Sequence, residues 1–243
     1  QMADHCTAGK LCYVTLNRNH PLVREHVRAG GTALVLEQGI NGNMITLYDD
    51  RGHNIPLLWT HLIPATLEGR ALHNVQNAMF AAALAFHMGV DLENIRQGLR
   101  TFDSTFFQSP GRLNVYDKHP FKVILDYAHN PAAVKMVCDV VDRYDISGRK
   151  IVVLTMPGDR RDEDIRDVAT IAAGHFDHYV CRRDDNPRGR EPDEVPRLLR
   201  QGLIDAGVSP DAIAVADSEE QANLAALEMA RGGDLVLILA DNV

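Results

Sequence analysis

The segment DYAHNP at residues 126–131 combines residue types that suit nucleotide binding. It follows a run of strand-forming residues at 121–125 and precedes a helical pattern at 132–144. A carboxylate at the end of a strand, as in Asp126, can accept hydrogen bonds from ribose hydroxyls. His129 lies beside a helix N-terminus, where free backbone N–H groups and the helix dipole favour phosphate. Asn130 and Pro131 suit the cap and the first residue of the helix, so the predicted site rests on Asp126 and His129.

A second charged segment, DDNPRGR at residues 184–190, follows the apolar run at 178–181. The guanidinium of Arg188 can bind the carboxylate of an amino acid through two parallel hydrogen bonds. Asp184 or Asp185 could then face a cationic end of the same amino acid. A charged loop with a proline turn explains the segment equally well, so the sequence leaves both interpretations open.

Both segments lie in a region where apolar runs alternate with amphipathic helical patterns, from Arg112 onward. The predicted strands are 121–125, 151–155, 178–181, 212–215 and 235–239, and the predicted helices are 132–144, 162–173, 193–206 and 218–230. Such alternation is typical of a parallel sheet that helices cover on both faces. Ligands of such sheets bind at the carboxyl ends of the strands. The two charged segments follow strands in this way.

The first part of the chain has a different pattern. Short strands are predicted at 11–16, 32–36 and 43–48, a short helix at 21–29, and two longer helices at 73–87 and 91–101, the last one capped by Asp91. Gly89 is a predicted C-cap of the helix at 73–87. The Pro-Gly turn at 110–111 separates the two patterns, so the predicted domains are residues 1–110 and 111–243.

Four segments together resemble the signatures of the Mur ligase superfamily, which includes the folylpolyglutamate synthetases and the cyanophycin synthetases. They are HNVQNA at 73–78, SPGR at 109–112, DYAHNP at 126–131 and GDRRDED at 158–164, in that order along the chain. The segment at 184–190 is similar to the DNPR motif of the Mur ligase that adds a diamino acid. The resemblance implies an α/β fold in which a remnant of the central ATPase domain precedes a Rossmann-like C-terminal domain with a parallel sheet.

The resemblance also implies roles for particular residues. Asn77 would contact adenine, with Asn74 a weaker candidate, while Arg112 would bind the phosphates of ATP. Asp126 would hold the ribose, and His129 would lie near the phosphates; Arg112 and His129 are the candidate catalytic residues. The residues expected to bind the incoming amino acid are Asp185, Asn186 and Arg188.

The implied activity is ATP-dependent formation of an amide or isopeptide bond through an acyl phosphate. The GDRRDED and DDNPRGR runs favour the cyanophycin synthetase branch, in which arginine is added to aspartate side chains of a polyaspartate acceptor by an enzyme expected to be a homo-oligomer. The alternatives are a peptidoglycan Mur ligase, a ligase similar to folylpolyglutamate synthetase, and a non-catalytic nucleotide-binding domain. A nicotinamide-binding domain is excluded, because no GxGxxG run follows a strand.

The sequence contains no GxxxxGK[ST] phosphate loop. Family members carry that loop and the Mg²⁺ ligands in the first part of the central domain, which would lie upstream of Gln1. Because both ends of the sequence resemble cut ends, we interpret the chain as a carboxy-terminal fragment. We expect it to hold no metal ligands of its own and to have negligible ligase activity alone.

The composition excludes several classes of function. The chain has 33 acidic and 25 basic residues and a net charge of −8, which argues against a nucleic-acid partner. No apolar run approaches the length of about 20 residues that spans a bilayer. The cysteines have no CxxC spacing and the histidines form no ligand-spaced set, which predicts a cytoplasmic protein with reduced thiols.

Overall fold

The computed structural model of the chain describes residues 5–6 and 9–240. The chain divides into two compact units, Gln1–Asp103 and Ser104–Val243. Secondary structure in the described residues follows the two patterns of the sequence. Each unit is a mixed α/β structure with its own sheet.

The described part of the first unit contains a four-stranded sheet in the order β1-β2-β3-β4. Its elements are β1 (Cys12–Thr15), α1 (Pro21–Arg28), β2 (Thr32–Gly39), β3 (Gly42–Tyr48), β4 (Asn54–Trp59), two 3-10 turns (Thr60–Leu62 and Pro64–Thr66), α2 (Leu72–His87) and α3 (Leu92–Thr101). Strand β1 pairs with β2 in parallel, and the other pairs are antiparallel.

Helices cover both faces of this sheet, which explains why residues 33–36 of β2 are apolar without interruption. Leu34 and Leu36 pack with α2 and α3 on one face. Ala33 and Val35 pack with Val23 of α1 on the other face.

Strand β4 is an addition to the predicted strands. It contains Pro56, which cannot donate a hydrogen bond to a neighbouring strand and therefore suits an edge strand or a bulge. The structure provides both, because β4 is at the edge and its register with β3 shifts between Ile45 and Thr46.

The sequence predicted correctly which residues end α2 and precede α3, but only the first of them caps its helix with a hydrogen bond. Gly89 has a φ of 83° and its N–H donates to the carbonyl of Phe86, so it ends α2 as predicted. Asp91 precedes α3 but makes no capping hydrogen bond to the backbone. Its carboxylate instead accepts a hydrogen bond from the side chain of Asn94 at 3.2 Å.

The second unit contains the predicted parallel sheet. In its described residues the elements are β5 (Asn114–Tyr116), β6 (Lys122–Asp126), α4 (Pro131–Val141), β7 (Lys150–Leu154), α5 (Asp162–Ala172), β8 (His178–Arg182), α6 (Glu194–Asp205), a 3-10 turn (Pro210–Ala212), β9 (Ile213–Ala216), α7 (Glu219–Met229) and β10 (Leu235–Leu239). The strand order is β5-β6-β10-β7-β8-β9, and all pairs are parallel except β5 with β6.

The direction of the chain across this sheet determines where its helices lie. From β6 to β9 the chain moves one way across the sheet, and α5 packs against both α4 and α6. It then returns through α7 to insert β10 between β6 and β7. Because crossovers between parallel strands are right-handed, this return places α7 on the opposite face, where Ala222 and Ala226 join the core.

All described cysteines are free thiols; Cys138 and Cys181 are buried, Cys12 is half-buried and Cys6 is exposed. Among residues 5–6 and 9–240, no helix is long and apolar enough to cross a membrane.

Candidate functional site

Asp126 is the last residue of β6 and so lies at the carboxyl end of the strand, where the sequence predicted it. Its side chain is buried, and its Oδ2 accepts a hydrogen bond from the N–H of Leu113 at 2.9 Å. Burial raises the pKa of Asp126 to about 6, against the opposing effects of the Leu113 N–H and the charge of Arg112. The carboxylate therefore also anchors the loop before β5, a role that the sequence did not indicate.

The loop that carries Arg112 has a tightly fixed backbone. Gly111 and Leu113 have φ values of 65° and 50°, so left-handed residues flank Arg112 on both sides. The Asn114 side chain accepts a hydrogen bond from the Gly111 N–H at 2.7 Å and donates to two carbonyls of residues 104–109. Held in this way, the Arg112 side chain extends from a rigid loop and is exposed.

Tyr127 connects the two candidate catalytic residues, a role that the sequence did not indicate. The guanidinium carbon of Arg112 lies 5.5 Å from the centroid of the Tyr127 ring, a cation–π distance. The Tyr127 carbonyl lies 2.9 Å from Nδ1 of His129. Because a carbonyl only accepts, this contact requires a proton on Nδ1, and in that tautomer Nε2 is the acceptor.

The neighbouring residues have the structural role predicted for them. Asn130 precedes α4, and its Oδ1 accepts a hydrogen bond from the N–H of Ala133 at 2.9 Å. Pro131 is the first residue of the helix.

The loops after β7 and β8 interlock. A Cβ atom added to Gly158 would lie 2.1 Å from the carbonyl oxygen of Pro187, so only glycine fits at this crossing. Arg190 donates from Nε to the carbonyl of Gly158 at 2.7 Å and from Nη2 to the carbonyl of Arg160 at 2.6 Å. The sequence placed both loops at the same edge of the sheet without showing that they touch.

Arg188 lies in the second of these loops with a φ of 48°. Its Nη1 is 3.2 Å from Oδ2 of Asp159, so the guanidinium faces a carboxylate of the loop after β7. The Asn186 side chain accepts a hydrogen bond from the Arg188 N–H at 3.2 Å, and Asp184 accepts one from the Asn186 N–H at 2.9 Å. Asp185 is exposed.

Two polar side chains at the ends of adjacent strands are buried with an unpartnered oxygen. Thr155 follows β7 and Asp184 follows β8, and both are at least 91% buried, being 2% and 9% exposed. Thr155 Oγ1 and Asp184 Oδ2 have no hydrogen-bond partner among the described residues. A buried carboxylate oxygen requires a donor, so Asp184 suits a ligand with N–H groups.

Asn77 belongs to the first unit, on α2. It is exposed, and its Nδ2 donates to Oδ1 of Asn74 at 3.2 Å. Asn74 donates in turn to the carbonyl of Ala65 at 2.7 Å, which fixes the turn before the helix. Asn74 therefore has a structural role, and Asn77 keeps its side chain at the surface.

The chemistry of the residues at the end of β6 suits the phosphates of ATP, since an exposed guanidinium, an aromatic ring and an imidazole lie together there. Magnesium is a different case. Within residues 5–6 and 9–240, no three His, Cys, Asp or Glu side chains are grouped so that they could hold a metal ion.

The chain is similar in sequence to several known proteins. The sequence model described as Mur ligase, glutamate ligase domain, matches residues 111–242. The chain is 38% identical over 239 residues to the cyanophycin synthetase of Nostoc sp. (strain PCC 7120), an alignment that covers 98% of this chain and 26% of that protein. It is 29% identical over 163 residues to UDP-N-acetylmuramoyl-L-alanyl-D-glutamate--2,6-diaminopimelate ligase of Aquifex aeolicus, covering 67% of this chain and 32% of that one.

Solved structures share the fold. That of E. coli FolC in complex with DHPP and ADP superposes with a TM-score of 0.62 at 22% identity, over 94% of this chain and 50% of that chain. The alignment with the Nostoc cyanophycin synthetase covers 26% of that protein, so the chain spans about a quarter of its length.

Proposed function

The chain belongs to the Mur ligase family, and from this premise we propose that it is part of an ATP-dependent ligase that forms an amide bond. The 38% identity to a cyanophycin synthetase over 98% of the chain supports this activity. The chain contains no GxxxxGK[ST] run. The phosphate loop and the Mg²⁺ ligands are therefore proposed to lie in another part of a longer protein.

The proposed reaction has two steps. A carboxylate of the acceptor attacks the γ-phosphorus of ATP, which gives an acyl phosphate and ADP. The amine of the incoming amino acid then attacks the acyl carbon, and phosphate leaves as the amide bond forms. Bound Mg²⁺ would neutralise phosphate charge.

In this reaction, Arg112 places a fixed positive charge at the phosphates, and its rigid loop lowers the cost of positioning that charge. Asp126 is proposed to contact the ribose through the part of its carboxylate that Leu113 does not occupy. His129 presents Nε2 as the proton acceptor for the attacking amine.

The observation that supports arginine as the amino acid is the buried, unpartnered Oδ2 of Asp184. A guanidinium offers N–H donors and a positive charge, which is what a buried carboxylate oxygen requires. Arg188, with Asn186 and Asp185 beside it, is proposed to receive the α-carboxylate. The acceptor is proposed to be the side-chain carboxylate of aspartate in a polyaspartate chain, so that the product is an isopeptide.

Citrulline tests this assignment, because it has the shape of arginine but a neutral urea group. ADP release is measured with the full-length protein, ATP and an aspartate-rich acceptor, with arginine or citrulline as the amino acid. Asp184→Asn should lower kcat/KM for arginine by roughly 100-fold, because removing one partner of a desolvated charge pair costs about 2–5 kcal/mol. It should reduce the preference for arginine over citrulline by a similar factor.

Asp211→Asn is the matched control, since Asp211 is an exposed aspartate in the 3-10 turn before β9 and has no role in the proposed site. It should change the preference little. If Asp184→Asn leaves the ratio of arginine to citrulline unchanged, the guanidinium is recognised elsewhere and the assignment of Asp184 is wrong.

A second candidate activity is the addition of a diamino acid to a peptidoglycan precursor. The 29% identity to the Aquifex aeolicus diaminopimelate ligase and the DNPR run at 185–188 favour it. The same ADP assay separates the two activities when 2,6-diaminopimelate and a muramoyl dipeptide nucleotide replace arginine and the aspartate-rich acceptor.

A further inference from the structure

A cavity of about 420 Å³ lies in the first unit, where α1 covers one face of the sheet. Three arginines line it, Arg18 before the helix and Arg24 and Arg28 on it, around an apolar floor that includes Val23 and Val35. This cavity, called the groove below, is larger than a single small anion needs.

The positive charge of this groove is largely uncompensated. Arg18 is 3.7 Å from Glu37, and that carboxylate also accepts hydrogen bonds from Thr46 and Tyr48. Arg24 and Arg28 have no carboxylate partner within the part of the chain that the structure describes. Two unpaired guanidinium groups are thus directed to one groove of a chain whose net charge is −8.

The spacing of these charges matches that of an extended peptide. Residues four apart on a helix are separated by about 6 Å along its axis. In an extended chain, side chains that point the same way recur every second residue, at about 6.6–6.8 Å. Arg24 and Arg28 can therefore each meet one of two carboxylates in an extended run of acidic residues, while the valines accept the methylene groups between them.

We propose that this groove binds an acidic peptide in extended conformation, as a subsite for the acceptor. The inference deepens the proposed function, since a polyaspartate acceptor has the required charge and repeat. It does not depend on catalysis, because binding at Arg24 and Arg28 needs neither ATP nor the amino-acid site.

The test is direct binding of fluorescein-labelled oligo-L-aspartate of about ten residues, which spans roughly 33 Å when extended. Fluorescence anisotropy is measured with the chain described here and with the full-length protein, without ATP. Oligo-L-asparagine of equal length is the neutral probe. The double variant Arg24→Gln/Arg28→Gln removes the two unpaired charges, and Arg51→Gln/Arg100→Gln removes the same charge from exposed positions that do not line the groove.

The unaltered protein should bind oligo-aspartate and not oligo-asparagine, with affinity that falls as salt is added, because exposed ion pairs are screened. The groove variant should lose about tenfold or more in affinity, and the control variant less than about twofold. Equal loss in both variants would show a diffuse charge effect and overturn the proposal. Displacement of the peptide by ATP at stoichiometric concentration would assign the groove to a nucleotide and overturn it as well.

The same variants distinguish this inference from the proposed function. If oligo-aspartate binds as expected but the full-length protein releases no ADP with any amino acid, the ligase assignment fails and the groove stands. If ADP is released with arginine and the groove variant retains the KM of the unaltered enzyme for a long aspartate-rich acceptor, the groove assignment fails and the ligase stands.

Discussion

Replacing Asp126 with asparagine should change the stability of the second unit in a way that depends on pH. Compared with the unaltered chain at the same pH, the variant should gain stability as the pH rises from acidic to neutral. The carboxylate is buried, and its pKa lies near 6 instead of the ordinary 3.8. A folded-state pKa above the unfolded one means that the native state holds the proton more tightly. The neutral acid therefore contributes stability below about pH 4, and this contribution is lost as the pH rises through about 6.

The size of this stability difference follows from how far the pKa of Asp126 is raised above its ordinary value. About two pH units correspond to about 3 kcal/mol of unfolding free energy. In Asp126→Asn the amide oxygen can still accept from the Leu113 N–H. The amide nitrogen does not reproduce the second acceptor, which adds an offset of about 1–3 kcal/mol. That offset is independent of pH. The difference in unfolding free energy between the variant and the unaltered chain therefore changes between pH 4 and pH 6.5 only because Asp126 titrates.

Urea unfolding followed by hydrogen-exchange mass spectrometry of β6 and β10 peptides measures this difference, whereas the single tryptophan, Trp59, reports on the other unit. The free energy of unfolding of the asparagine variant should gain about 2–3 kcal/mol on the unaltered chain between pH 4 and pH 6.5. Asp185→Asn, which alters an exposed carboxylate, should show no such gain. A difference that stays constant with pH would refute the argument that Asp126 is held as a neutral acid.

Three further outcomes are expected. Arg190→Ala removes the hydrogen bonds to the loop carbonyls after β7, so it should lower the unfolding free energy of the second unit by about 2–4 kcal/mol in urea titrations. The control is Arg161→Ala, which removes only an exposed ion pair within one helical turn and should lower the unfolding free energy by less than about 0.5 kcal/mol. Gly158→Ala places a methyl group against the carbonyl of Pro187, so exchange protection of the loops at 157–164 and 184–190 should fall while that of the strands is kept. In the full-length protein, Arg188→Ala should raise the KM for the amino acid at least tenfold and leave the KM for ATP nearly unchanged in steady-state titrations; an effect on ATP alone would remove Arg188 from the amino-acid site.

The strands and helices of the second unit were predictable because their apolar runs are continuous and turn signals bound them. Strand order was not, since a buried strand such as 235–239 has the same pattern at any position in a parallel sheet. The insertion of β10 between β6 and β7 depends on the return of the chain through α7. The short strand β5 was missed because three residues at an edge carry too little pattern.

The candidate site shows the same division. Positions after strands were predictable, because one rule for parallel sheets points to them. The contacts between them were not, because they join residues far apart in the sequence. Asp159 and Arg188 are 29 positions apart, and nothing in either segment indicates that the two side chains meet.

The pairing of Arg188 with Asp159 has a consequence for how an amino acid would be selected. If the α-carboxylate binds Arg188, it replaces a carboxylate that is already 3.2 Å away, so loss of the existing ion pair offsets part of the affinity that the new one contributes. Asp184 is different, because its Oδ2 is buried and has no partner among the described residues to give up. A cationic side chain that binds Asp184 would supply the missing donor without replacing an existing ion pair. Under the proposed function, Arg188 therefore orients any α-amino acid, and discrimination in favour of arginine comes from Asp184.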